Sequence, residues 1–119
     1  MSDAATVAVS GDSETIMVSA VGFLNLSNES EFRDALTHAV ASAKHVVVDL
    51  SSVTYVDTAT LSHLAMAAKR MLARDSRLKV VVANETQPQY VLGIIGFDAV
   101  MDITVPPART ERRLRWSSA

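Results

Sequence analysis

The stretch His45–Leu61, HVVVDLSSVTYVDTATL, joins a buried strand to an amphipathic helix through a polar turn. His45–Leu50 is a continuous apolar run broken only by Asp49, the pattern of a strand covered on both faces. Ser51-Ser52 begins an expected loop carrying Val53, Tyr55 and Val56. Leu61, Leu64, Ala65, Ala68, Met71 and Leu72 then recur at helical spacing, which predicts a helix from about 58 to 73. Asp57, Thr58 and Thr60 therefore stand where the chain leaves the sheet and enters the helix.

Upstream, Thr6–Ser10 and Thr15–Val21 are β-rich runs separated by the turn signal Gly11-Asp12-Ser13-Glu14, which predicts a hairpin whose second strand ends at Gly22. Asn28, followed three residues later by Glu31, fits a capping box. Phe32, Ala35, Leu36, Ala39, Val40 and Ala43 place a helix over 28–43. Downstream, Arg74-Asp75-Ser76 breaks the chain before a second buried strand, Leu78–Ala83. Pro88 suits the first turn of a third helix over 88–96, built on Tyr90, Val91, Ile94 and Ile95 and stopped by Gly96. Val100–Val105 reads as the last strand before Pro106-Pro107. The order β-β-α-β-α-β-α-β predicts an α/β fold, a central mixed sheet of about five strands flanked by helices.

Composition narrows the function. The 119 residues suit one domain, and 49% hydrophobic with 20% charged residues is ordinary for a folded globule. There is no cysteine, which excludes a thiol nucleophile, a disulfide framework and a cysteine zinc site. The net charge is −2, yet Arg109, Arg112, Arg113 and Arg115 stand against Glu111 alone near the C-terminus. The rest of the chain is therefore mildly acidic, unlike a nucleic-acid binder, which needs a basic face. No apolar run reaches the ~20 residues of a membrane span, and Met1–Ser10 lacks the pattern of a signal peptide. A cytoplasmic protein without membrane insertion is the expectation.

Catalytic chemistry is sparse. His38, His45 and His63 are isolated, with no His-x-x-x-His pair for a metal. Gly11, Gly22, Gly93 and Gly96 compose no phosphate-cradling loop, and there is no Gly-x-Ser-x-Gly elbow. No catalytic residue, cofactor or metal is expected; Asp49, Asp57 and Thr58 are the residues a small nucleotide-binding enzyme would have to use. For the turn at Asp57–Thr60 two accounts compete. In the first, Asp57 or Thr58 is simply a helix cap. The same helix N-terminus also favours a phosphate, so a threonine hydroxyl there could carry one.

His45–Leu61 resembles the signature of STAS domains, the family of bacterial anti-sigma factor antagonists: an apolar strand ending in Asp-Leu, a Val four residues before a second Asp, then Asp-Ser-Ser/Thr-Gly-Leu opening a helix. Gly22-Phe-Leu-Asn25 is similar to the family's Gly-x-Leu-Asp turn, and Val91-Leu-Gly-Ile-Ile-Gly96-Phe-Asp to its final helix. The resemblance covers about residues 6–105, leaving 1–5 as an expected flexible N-terminus and 106–119 as a tail, helical or frayed. It implies a non-enzymatic regulator of transcription in the stress response, working by partner switching. Such a domain binds a serine/threonine kinase of the anti-sigma type, is released when phosphorylated, and is restored by a phosphatase. Carried over, Thr58 is the phosphoacceptor, and Asn25, Asp57, Thr58, Ala59 and Thr60 meet the partner. The chain differs from the pattern at Thr58 (usually serine), Ala59 (a small hydroxyl residue), Thr60 (glycine) and Asn25 (an acid). The serine-to-threonine change at Thr58 and the loss of glycine at Thr60 suit an alternative, a STAS module in a stressosome scaffold or a lipid ABC transporter subunit, without phospho-switching.

Overall fold

The computed structural model describes residues 6–106 apart from Leu26 and Ile95. In chain order the elements are β1 (Thr6–Gly11), β2 (Thr15–Leu24), α1 (Glu29–Ser42), β3 (His45–Val56), α2 (Thr58–Leu72), β4 (Leu78–Val82), α3 (Gln87–Ile94), a 3₁₀ turn (Phe97–Ala99) and β5 (Met101–Thr104). This is the predicted α/β order. The expected N-terminus 1–5 and the tail beyond Pro106 lie outside the described residues.

The strands form one mixed sheet in the order β1-β2-β3-β4-β5, with β1 antiparallel to β2 and every other pair parallel. The hairpin turn depends on Gly11, whose φ of +126° brings it so close to Thr15 that a Cβ would run into the Thr15 carbonyl. Asp12 completes the turn, its Oδ1 accepting from the amides of Glu14 and Thr15.

Alternation along the strands sends one set of side chains inward. Ile16, Val18, Ala20 and Leu24 of β2, Val46, Val48 and Leu50 of β3, and Leu78, Val80 and Val82 of β4 are buried. They join a single core with Phe32, Leu36, Ala39 and Val40 of α1 and Leu64, Ala68 and Met71 of α2. The other face is more open: Met17, Val21, Phe23 and Tyr55 are exposed. The expectation that both faces of His45–Leu50 are covered is corrected here, because Val47 and Asp49 are only half-buried. Arg74, just past α2, ties the two helices together. Its guanidinium donates to the carbonyls of Val40 and Ala43 at 2.7 and 2.6 Å, filling orphan acceptors at the end of α1.

Three further expectations are overturned. Gly22 does not end β2, which runs on to Leu24. Ser51–Val56 is not a loop but the second half of β3, paired with Val21–Leu24 of β2. The register shifts between Ser19 and Val21 and again between Gly22 and Phe23, so the buried Val53 and Val56 fall three apart and hide the strand's two-residue period. The capping box does not form: Asn28 is the N-cap of α1 but makes no side-chain cap bond. Its carboxamide turns back instead, Nδ2 donating to Phe23 O at 2.8 Å and Oδ1 accepting from the Asn25 amide at 3.0 Å.

Candidate functional site

Because β2 to β5 are parallel, their C-terminal ends share one edge of the sheet, the place where open α/β sheets present ligand sites. Two of those ends carry the residues singled out by the sequence. β2 leads into Asn25, and β3 leads through Asp57 into Thr58, the first residue of α2. The Asp57 amide donates to the Leu24 carbonyl at 3.1 Å, so the exits of both strands are stitched side by side.

Each exit is held by side chains. Buried Asn28 bridges Phe23 and Asn25 on the β2 side. Asn25 Oδ1 accepts from the Ser27 amide and hydroxyl at 3.0 and 2.7 Å, closing the loop on itself. On the β3 side, Gln87 at the start of α3 reaches the Val56 backbone, accepting from its N–H at 2.9 Å and donating to its carbonyl at 3.0 Å. Phe23 and Tyr55 form a tilted aromatic pair, 5.8 Å between centroids, on the exposed sheet face beside these exits.

Asp57 is the N-cap of α2, with its Oδ1 2.9 Å from both the amide and the hydroxyl of Thr60. Thr60 is consequently inside: it is 0% exposed and offers a partner no surface. Thr58 is exposed, and its hydroxyl takes no part in the cap. Ala59 beside it is half-buried. The Thr60 amide is occupied by Asp57 and the Leu61 amide by the Asp57 carbonyl at 3.1 Å, while the Thr58 and Ala59 amides take no partner among the described residues. The first turn of α2 carries no acidic residue, but the Asp57 carboxylate at the N-cap sets a negative charge beside Thr58 that opposes the helix dipole's attraction for an anion.

The five sequence-selected positions thus fall at one corner of the molecule, with Asn25, Asp57, Thr58 and Ala59 at or near its surface and Thr60 beneath. Sequence reading assigned Asn28 to a capping box and missed Gln87; both hold the corner. Asn28 was legible as a polar residue before a helix but not as a brace; Gln87 is 31 residues from the backbone it grips, and nothing local signals it. Asp49 does not join the corner. It lies eight residues earlier on β3, with its Oδ1 accepting from the Ser51 amide and hydroxyl at 3.0 and 2.6 Å.

Elsewhere, His63 on α2 meets Glu29 on α1 at 2.9 Å, both partly buried, at the margin of a cleft of about 330 Å³ that also has Arg33, Met66 and Arg70 on its walls. His38 and His45 are exposed. Among the described residues no group of three or more His, Asp or Glu side chains could hold a metal ion, and no helix is long and apolar enough to cross a membrane.

Comparison with known proteins agrees with this fold. A family model described as "Mlab, STAS domain" matches residues 7–104. An anti-sigma factor antagonist from Mycobacterium paratuberculosis superimposes with a TM-score of 0.78 at 20% identity, covering 93% of this chain and 92% of its own. The anti-sigma factor antagonist SpoIIAA in its unphosphorylated form gives 0.70 at 13% identity, covering 96% and 98%. The Bacillus cell fate determinant SpoIIAA in its phosphorylated form gives 0.63 at 13%, covering 92% and 98%. No curated protein sequence matches the chain.

Proposed function

The chain belongs to the STAS domain family, and from that premise we propose that it is an anti-sigma factor antagonist, a non-catalytic protein that binds a kinase of the anti-sigma type and is released by phosphorylation at Thr58. The observation that carries this reading is the separation of tasks at the start of α2: Asp57 caps the helix and leaves the exposed Thr58 hydroxyl free to be modified. The fold likeness to anti-sigma factor antagonists supports the role in general, and one of those relatives is known in both unphosphorylated and phosphorylated forms.

The partner would lie over Thr58 and Ala59, with Asn25 and Asp57 at its margin. A phosphate on Thr58 adds about −1.5 to −2 charges at pH 7. The first-turn amides of Thr58 and Ala59 and the helix dipole favour that charge within the domain and offset repulsion from the neighbouring Asp57 carboxylate. Against a closely packed partner the same dianion loses its hydration without gaining a counter-charge, a cost larger than a typical contact returns. The domain tolerates the modification and the complex does not. A phosphatase would then restore the binding form.

The test is a phosphorylation assay with the serine/threonine kinase of the anti-sigma type encoded by the same organism and ATP. Phosphate mapped to Thr58, and lost in Thr58→Ala, supports the proposal; phosphate at another residue, or none, overturns it.

A second reading has one observation in its favour. Thr60, where the family's pattern has glycine, is buried and bonded to Asp57, which stiffens the turn that a kinase would have to enter. A STAS module held constitutively in a larger assembly, such as a stressosome scaffold or a lipid transporter, needs no such entry. Its signature would be stable co-purification with that assembly, unaffected by Thr58→Glu.

A further inference from the structure

The sheet is uneven at its centre. β4 ends at Val82, opposite Leu50, while β3 continues for six residues to Val56. Successive residues of a strand turn their peptide groups to opposite edges. Asp57 donates to Leu24 on the β2 side; Val56 therefore presents both its N–H and its C=O to the side where β4 has already ended. Val56 is 2% exposed, so water is a poor substitute there, and two unpaired backbone groups would be costly. The Gln87 carboxamide takes the place of the missing strand. Oε1 accepts from Val56 N–H at 2.9 Å and Nε2 donates to Val56 O at 3.0 Å, the paired exchange that a ladder residue would make.

We propose that Gln87 is a positioning residue for Thr58: it acts as a one-residue strand at the exit of β3 and fixes the turn through which the Thr58 hydroxyl is presented. The proposal rests on the reading of Thr58 as the regulated position and adds what holds it there. The chain of contact is short. Val56 precedes Asp57, Asp57 caps α2, and Thr58 is the first residue of that helix. Gln87 is itself anchored as the first residue of α3, next to buried Pro88, with the Thr86 hydroxyl bonded back to the Ala83 carbonyl at 2.7 Å. Only glutamine meets the need at this distance. Asparagine has the same amide but one methylene less reach, glutamate cannot donate to the carbonyl when ionised, and methionine has the length without the bonds.

The absence of cysteine from the chain permits a probe that needs neither kinase nor partner. Thr58→Cys introduces a single thiol at the first position of α2. A thiol at a helix N-terminus ionises below the free value of about 8.5, and the neighbouring Asp57 carboxylate, present with either residue at position 87, works against that shift. Its pKa, read from the pH profile of reaction with a disulfide reagent, reports whether the helix amides remain aimed at position 58. In the Thr58→Cys background, Gln87→Met is expected to move that pKa toward the free value by about half a unit, and to weaken hydrogen-exchange protection of the Val56 amide by about tenfold. Circular dichroism establishes that the double variant is folded; if it is not, Thr58→Cys with Gln87→Asn carries the same measurement. A folded variant whose thiol pKa is unchanged overturns the proposal. Were the thiol to respond while the kinase leaves Thr58 untouched, the role of Gln87 would stand and the phospho-switch would fall.

Discussion

Asp57 and Thr60 close the start of α2 between themselves: one carboxylate oxygen accepts the Thr60 amide and the Thr60 hydroxyl, each at 2.9 Å. This pairing gives the capping account of the polar turn its residue, Asp57, and leaves Thr58 outside the cap. It also explains how a threonine is accommodated at position 60, since a buried hydroxyl there would be costly without a partner.

Substitution separates the two residues. Asp57→Ala removes the N-cap and strands the Thr60 hydroxyl, and is expected to cost about 1–2 kcal/mol, lowering Tm by about 4 °C or more in a domain of this size. Thr58→Ala removes an exposed hydroxyl outside the cap and should change stability by less than about 0.5 kcal/mol. Denaturant unfolding of both variants checks this. Equal losses would mean that Thr58 shares the cap.

The helix layer makes its own prediction. Arg74 satisfies two carbonyls at the end of α1 from beyond the end of α2. Arg74→Ala should destabilise by about 2 kcal/mol, because hydrogen bonds to charged groups exceed neutral ones and two are lost. Arg74→Lys should recover only part, since an ammonium lacks the planar fork that spans both acceptors. Full recovery by lysine, measured in urea melts, would show that charge alone suffices.

How much of this was legible in the sequence follows from the physical range of each signal. The periodic elements were readable because Phe32, Leu36 and Val40, or Leu64, Ala68 and Met71, declare a helix within a few turns. The strand at Ser51–Val56 was not, since two register shifts move Val53 and Val56 off the alternation that marks a strand. At the site, Asp57 and Thr58 were readable from one contiguous motif. Their division of labour was not, because Asp57 and Thr58 have equally suitable oxygens on paper. The braces Asn28 and Gln87 depend on tertiary contact, and Asn28 abandons the local capping role that its neighbours suggest.

The hairpin supplies a pH test. Two backbone N–H donors, from Thr15 and then Glu14, hold the Asp12 carboxyl below the ordinary aspartate range. A folded-state pKa that is lowered contributes stability above the unfolded value of about 3.9, and that stability is lost as pH falls through the folded pKa. The advantage of Asp12 over Asp12→Asn should therefore be present at neutral pH and vanish in acid. An NMR titration of the Asp12 carboxyl checks the premise; a midpoint at or above about 3.9 would contradict it.

The phospho-switch at Thr58 is tested most directly by the affinity of one partner for three forms of this chain. Titration calorimetry with the serine/threonine kinase of the anti-sigma type from the same organism, held in the nucleotide state that binds the unmodified protein, compares the unmodified chain, the Thr58-phosphorylated chain and Thr58→Ala. The phosphate takes the net charge from −2 to about −4 and places the added charge at the exposed start of α2. The expected result is tight binding by the unmodified chain and by Thr58→Ala, a loss of at least about a hundredfold on phosphorylation, equivalent to about 2.7 kcal/mol, and a Tm that scarcely moves. Equal affinity of the phosphorylated and unmodified chains would contradict the switch and leave the constitutive assembly in its place.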